Sequence, residues 1–192
     1  MPCDDAAGED APEGPVPVWD RWVRITHWMV AGATLLAYFS HGGLLQLHRV
    51  TGYVTVALVV GRLAWGIVGT THARLVDFVP APRQLLAHLW NMGRWRDERF
   101  LGHNPAGAVM ILALWAVLLS LGASGWMLDS PAYRDYRPLQ EIHAILADLL
   151  MLMIALHVAG VLLASWRHRE NLIVAMVTGK KRDSTSRRPT AP

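Results

Sequence analysis

The chain is poor in cysteine, with one in 192 residues, Cys3, close to the N-terminus. A single thiol excludes an intrachain disulfide, a CxxCH attachment for covalent haem and a cysteine-ligated iron–sulfur cluster. Any metal chemistry therefore rests on histidine, of which there are nine. Charge is sparse too, at 17% of residues, and the stretch ILALWAVLLSLGASGWML at 111–128 has none. Helices of a soluble bundle would carry polar outer stripes, so the absence of one here argues against a soluble fold.

What is abundant is apolar residue, 53% of the chain, with a positive mean hydropathy. The length suits one domain, and the composition suits a membrane. Four segments match a hydrocarbon core of about 30 Å: 21–39, 44–68, 105–128 and 139–166. Backbone groups in lipid must be satisfied within the segment, so each is expected to be helical. The expected architecture is an all-α integral membrane protein, a four-helix transmembrane bundle spanning 19–182, flanked by disordered tails at 1–18 and 183–192.

The net charge of +3 and basic pI would fit nucleic acid if the charges formed a patch. They are instead distributed by side. Arg21, Arg24, Arg74, Arg83, Arg94, Arg96, Arg99, Arg167, Arg169, Lys180, Lys181, Arg182, Arg187 and Arg188 fall on one face of the expected bundle, against Arg49, Arg134 and Arg137 on the other. By the positive-inside rule, both termini and the central loop are cytoplasmic and the basic excess reflects topology. The N-terminal stretch MPCDDAAGEDAPEGPVPV has no basic region followed by an apolar one. It reads as a tail, with the first span as an uncleaved signal-anchor.

The fourth span carries His143 and His157, separated by about four helical turns. At about 100° and 1.5 Å per residue they share a face and stand about 21 Å apart along the axis. Ionisable residues within a membrane are costly, which makes such a pair a functional hypothesis. His48, near the external end of the second span, matches the depth of His143. His27, in the first span, matches His157 near the cytoplasmic side. His41 follows His27 at the same interval as His157 follows His143, and it rivals His48 as external ligand or is a solvated residue beside Gly42 and Gly43. The third span has no histidine and reads as scaffold.

Four imidazoles at two matched depths suit two bis-histidine sites along the membrane normal. Copper and zinc also take imidazole, but structural zinc completes a tetrahedron with cysteine or carboxylate, whereas two axial nitrogens between apolar walls suit b-type haem. Arg62 follows His48 at that interval too, so it shares its face at the inner depth; it pairs with a haem propionate or snorkels to the headgroups. Gly52 and Gly160 either admit a flat ring to the backbone or allow close helix packing. Asp148 stands about 140° around the helix from His143, so it lines a proton or quinone path or packs on a polar neighbour. In the 70–104 loop, PAPRQLLAHLWNMGRW reads as an interfacial helix, a docking surface or a lid, and His103 stands at the surface. RHRENLIVAMVTGKKR reads as a second interfacial segment with a basic end suited to anionic lipid.

The motifs VWDRWVRITHW, HRVTGY, RLAWGIVG, FVPAPRQ, LGHNPAG, EIHAILADLL, LHVAGVLLAS and RHRENLIVAMVTGKKR, in that order, resemble the bacterial cytochrome b561 family. That family includes the b-type cytochrome subunits of nickel-iron hydrogenases. The resemblance covers residues 18–182 and implies two non-covalent b haems, an inner one on His27 and His157 and an outer one on His48 and His143. It is consistent with a propionate contact at Arg62. It further implies single-electron transfer across the bacterial inner membrane between a membrane quinone and a second partner, a cytochrome c or another redox protein. The alternative is a haem-bearing anchor subunit of a larger oxidoreductase such as a hydrogenase. Ion or proton transport through Asp148 without haem is a third possibility of a different class.

Overall fold

The structure is a computed structural model, and it describes residues 16–17, 20–68 and 105–181. Four long helices account for most of these: α1 at Arg21–Ser40, α2 at Leu45–Val68, α3 at Pro105–Asp129 and α4 at Arg137–His168. A short helix, α5, follows at Leu172–Thr178. The observed limits lie within two residues of the spans expected from hydropathy, the usual uncertainty of a helix end.

Local chemistry sets the helix ends. Asp20 caps α1 by accepting from the Val23 amide at 2.7 Å, satisfying one of the free N–H groups of the first turn. The turn at 41–43 follows, with Gly42 and Gly43 in it. Pro138 stands in the first turn of α4, where its missing N–H costs nothing. That helix stops at Arg169, whose left-handed backbone (φ 51°) returns its N–H to the Ser165 and Trp166 carbonyls.

The helices pack in sequence, α1 on α2, α2 on α3 and α3 on α4, whereas α1 and α4 meet at few points among the described residues. A two-residue strand, β1 (Val16–Pro17), pairs antiparallel with β2 (Lys180–Lys181). The Arg24 guanidinium also donates to the Val177 carbonyl. These contacts gather the start of α1 and the end of α4 at one end of the molecule, the termini end; the turns at 41–44 and 130–136 form the other, the turn end. Residues 16 and 17 were expected to belong to the disordered tail. Backbone pairing with Lys180 and Lys181 instead ties them to the segment after α5.

The apolar centre is Val59, Leu118 and Leu150, ringed by Val30, Leu63, Leu114, Trp115 and Ile154 among others. Burial elsewhere is inverted relative to a soluble protein. Thr26, Thr34, Ser40, Thr51, Thr55 and Ser124 are buried, while Phe39, Ile145, Trp126 and Trp166 are two-thirds exposed or more. An apolar exterior of this extent needs lipid or protein around it. Most of the inward hydroxyls bond a carbonyl of the preceding turn, as Thr26 does to Trp22, Thr51 to Leu47 and Thr55 to Thr51. Polar groups are thus satisfied within their own helix, as a bilayer requires.

By length and composition, Ala106–Asp129 and Arg137–Arg167 are apolar enough to cross a membrane. The other two expected spans, α1 and α2, have comparable length; α1 carries Arg21 and Arg24, and α2 carries Arg49 and Arg62. The expected interfacial helix in the 70–104 loop, and His103 with it, lie outside the described residues.

Candidate metal centre

At the turn end, His48 of α2 and His143 of α4 face one another with ring centroids 6.1 Å apart and planes crossed at 75°. The pairing expected from depth is therefore present as a contact. His41, the rival, folds back on its own helix to meet the Tyr38 carbonyl.

The hydrogen bonds around this pair determine which nitrogen of each ring is available. His48 Nδ1 lies 2.8 Å from the Ala37 carbonyl. A carbonyl only accepts, so Nδ1 carries the proton and Nε2 keeps a bare lone pair. His143 Nδ1 lies 2.8 Å from Ser124 Oγ, and that hydroxyl donates to the Leu121 carbonyl at 3.1 Å. When its proton is turned to Leu121, the Ser124 oxygen accepts from His143 Nδ1–H, the same tautomer in the neutral ring. Nε2 is then the bare nitrogen on both neutral rings, the form in which imidazole binds a metal. Two imidazoles on opposite sides of one ion, at about 2 Å per metal–nitrogen bond, would have their centroids at roughly the observed spacing.

Ser124 and Gly125 belong to α3, the helix expected to serve as scaffold. A side chain at Gly125 would place its Cβ 3.4 Å from His143 Cε1, so the glycine makes room for the ring. The signal for these residues is positional: small residues in a helix that lacks ligands of its own. No spacing rule links Ser124 to a histidine on the next helix.

At the termini end, His27 of α1 and His157 of α4 lie within electrostatic reach of each other. His27 packs edge-on against Trp28 at 5.1 Å, and its Nδ1 is buried with no hydrogen-bond partner among the described residues. A buried imidazole nitrogen left open is unusual.

Arg62 lies with its guanidinium 5.8 Å from the centroid of the Trp115 ring on α3. The second span itself holds no carboxylate for it. The fold brings one from elsewhere: Asp20, the cap of α1, acts on Arg62 electrostatically and also accepts from Trp65 Nε1 at 3.3 Å. Gly52 and Gly160 have nothing within 4 Å of where a Cβ would stand, so neither is used for helix packing among the described residues. The contrast is Gly122, where an added Cβ would collide with Val56. Asp148 has the polar neighbour expected of it, Tyr38, whose hydroxyl donates at 3.3 Å across the α1–α4 seam.

The donor set fits haem better than a tetrahedral metal. The described residues contain no group of three or more histidine, cysteine or carboxylate side chains that could hold an ion. What they offer is imidazoles in twos, with metal-ready nitrogens at the turn end, an orphaned nitrogen at the termini end, and open space over two glycines.

The comparisons with known proteins agree with this reading. A family profile described as prokaryotic cytochrome b561 matches residues 18–179. Among curated proteins, a probable Ni/Fe-hydrogenase B-type cytochrome subunit of Azotobacter vinelandii is 27% identical over 126 residues, 55% of this chain and 52% of that protein. The proteins of the same description from Bradyrhizobium diazoefficiens and Rhizobium leguminosarum bv. viciae are 22% and 23% identical, each over 92% of this chain and at least 90% of their own length. The chain spans about half the length of the Azotobacter relatives it matches. No solved structure matches. With the profile running from before α1 to the residue after α5, the chain belongs to the prokaryotic cytochrome b561 family.

Proposed function

We propose that this chain is a four-span, di-haem b-type cytochrome of the bacterial inner membrane, with both termini cytoplasmic. In this reading it relays electrons between the membrane quinone pool and a second redox partner. Family membership supplies the coarser statement, haem-b electron transfer in a membrane. The observation that carries the finer one is the His48–His143 contact with an oxygen against each Nδ1.

A b haem held between two imidazoles supplies a one-electron couple. The chain's own residues do the rest. His48 and His143 hold one site, and His27 and His157 the other. Gly52 and Gly160 leave backbone surface for a flat ring, and Arg62 offers positive charge to a propionate in competition with Asp20. Val59, Leu118 and Leu150 fill the space between the two levels and exclude water from it. Leu150 stands midway in sequence between the two histidines of α4, so the packed centre lies midway between the sites.

Quinol oxidation tests the quinone link. Adding a reduced quinone to the oxidised, detergent-purified chain is expected to bring up the reduced haem bands; bands that develop with dithionite but never with quinol contradict it. A second reading, a haem-bearing anchor subunit of a larger oxidoreductase, is favoured by the names of the relatives, all hydrogenase cytochrome subunits. Stoichiometric co-purification of a hydrogenase from the native membrane supports that reading.

A further inference from the structure

The two sites differ in what stands behind their ligands: at the turn end the Ala37 carbonyl stands behind His48 and the Ser124 side chain behind His143. Ser124 is buried and sits between His143 Nδ1 and the Leu121 carbonyl, at 2.8 and 3.1 Å. With its proton turned to the Leu121 carbonyl, the hydroxyl acts on the ring as an acceptor. An acceptor at Nδ1–H raises the basicity of the ligating Nε2. A more basic ligand stabilises the ferric state over the ferrous. Out of water, the relay of Nδ1–H to Oγ–H to carbonyl is polarised cooperatively and strengthens each link. At the termini end, His27 Nδ1 is buried with no hydrogen-bond partner among the described residues.

We infer that Ser124 is a positioning residue that lowers the reduction potential of the turn-end haem through His143, and so makes the two haems electronically unequal. The inference rests on the di-haem reading above. It adds a residue from α3, the helix without ligands, as a determinant of one potential. Ser124 also holds the ring in place, with Gly125 leaving the imidazole its space.

The test is potentiometry of the purified, haem-loaded chain with Ser124 replaced by Thr, Cys or Ala. Thr keeps the hydroxyl, Cys offers a weaker acceptor, and Ala offers none. With Ser124→Ala the reduced-to-oxidised ratio of one haem at fixed potential is expected to rise three- to tenfold, about 30 to 60 mV at 59 mV per tenfold for one electron. Cys should fall between, Thr should stay at the parental value, and the other haem should not move. Repeating the Ala change in a His27→Ala background, where the turn-end haem alone remains, should reproduce the shift; in a His143→Ala background it should vanish.

Two haems retained with both potentials unmoved in the Ala and Cys variants would overturn the inference while leaving the relay intact. If Ala abolishes haem binding at the site, the Cys variant decides: an intermediate potential supports the inference, and a parental one overturns it. A parental chain that never carries two bis-histidine haems would defeat the underlying reading, and this failure would be seen before any substitution is made.

Discussion

At the turn end, imidazoles are held from behind by the Ala37 carbonyl and Ser124, and an ion pair closes the helices beside them. Arg49 Nε lies 2.8 Å from Asp129 Oδ1, and the Tyr53 hydroxyl donates to Asp129 Oδ2 at 2.6 Å. At the termini end, His27 has an open Nδ1, and the organised polar groups are instead charges: Arg62 with Asp20, and Arg24 on the Val177 carbonyl. One end has hydrogen-bonding groups behind its imidazoles and an ion pair beside them, the other formal charge near an open nitrogen. Hydrogen bonding behind a ligand and nearby charge are separate means of setting a potential.

The largest effect comes from removing a ligand. His143→Ala or His48→Ala should halve the haem content, taking the turn-end site and leaving the other, as read by haem-to-protein ratio. Loss of both haems from a chain that still folds, judged by helical circular dichroism, would mean that the ends are not independent.

Overpacking comes next. Gly122→Ala should cost about 1–3 kcal/mol, because Val56 is β-branched and cannot swing aside, seen as a lower midpoint of thermal haem release. Asp129→Asn leaves Arg49 without its countercharge and weakens the acceptor for Tyr53; for groups this exposed the cost is about 1 kcal/mol or less. Its readout is the same melt.

Charge at the termini end gives a smaller, selective effect. Arg62→Gln should lower the potential of the termini-end haem by the equivalent of about 1 kcal/mol or less, Asp20 already offsetting part of the charge, and leave the turn-end potential in place. Equal movement of both potentials would erase the distinction between the ends. Smallest of all is Thr34→Val. The Thr34 hydroxyl is buried without a partner among the described residues, so replacing it with a methyl of similar shape should be neutral or stabilising by up to about 1 kcal/mol. A clear loss of stability would show that the hydroxyl has a partner in the haem-loaded protein.

Hydropathy and histidine register make much of this legible from residues alone. The limits of α1 to α4 follow from apolar length, and the His48–His143 contact follows from two residues at one depth on separate spans. The packing alternative for Gly52 and Gly160 required coordinates to set aside, because an open face and a packed face have the same sequence. Ser124 escaped for a different reason. Its role depends on which way a hydroxyl proton points, and that is decided by the Leu121 carbonyl one turn away and by a ring on another helix. Asp20 as a countercharge for Arg62 was missed because it lies in the cap before α1, outside the span in which a partner was sought. The strand at Val16–Pro17 was missed because two residues carry no periodicity.

The haem content and redox spectrum of the detergent-purified chain test the central claim most directly. Two b haems per chain with low-spin bands in the oxidised and dithionite-reduced states are the predicted result. One haem would leave one histidine pair without its assigned role, and a colourless protein from haem-replete cells would contradict the account altogether.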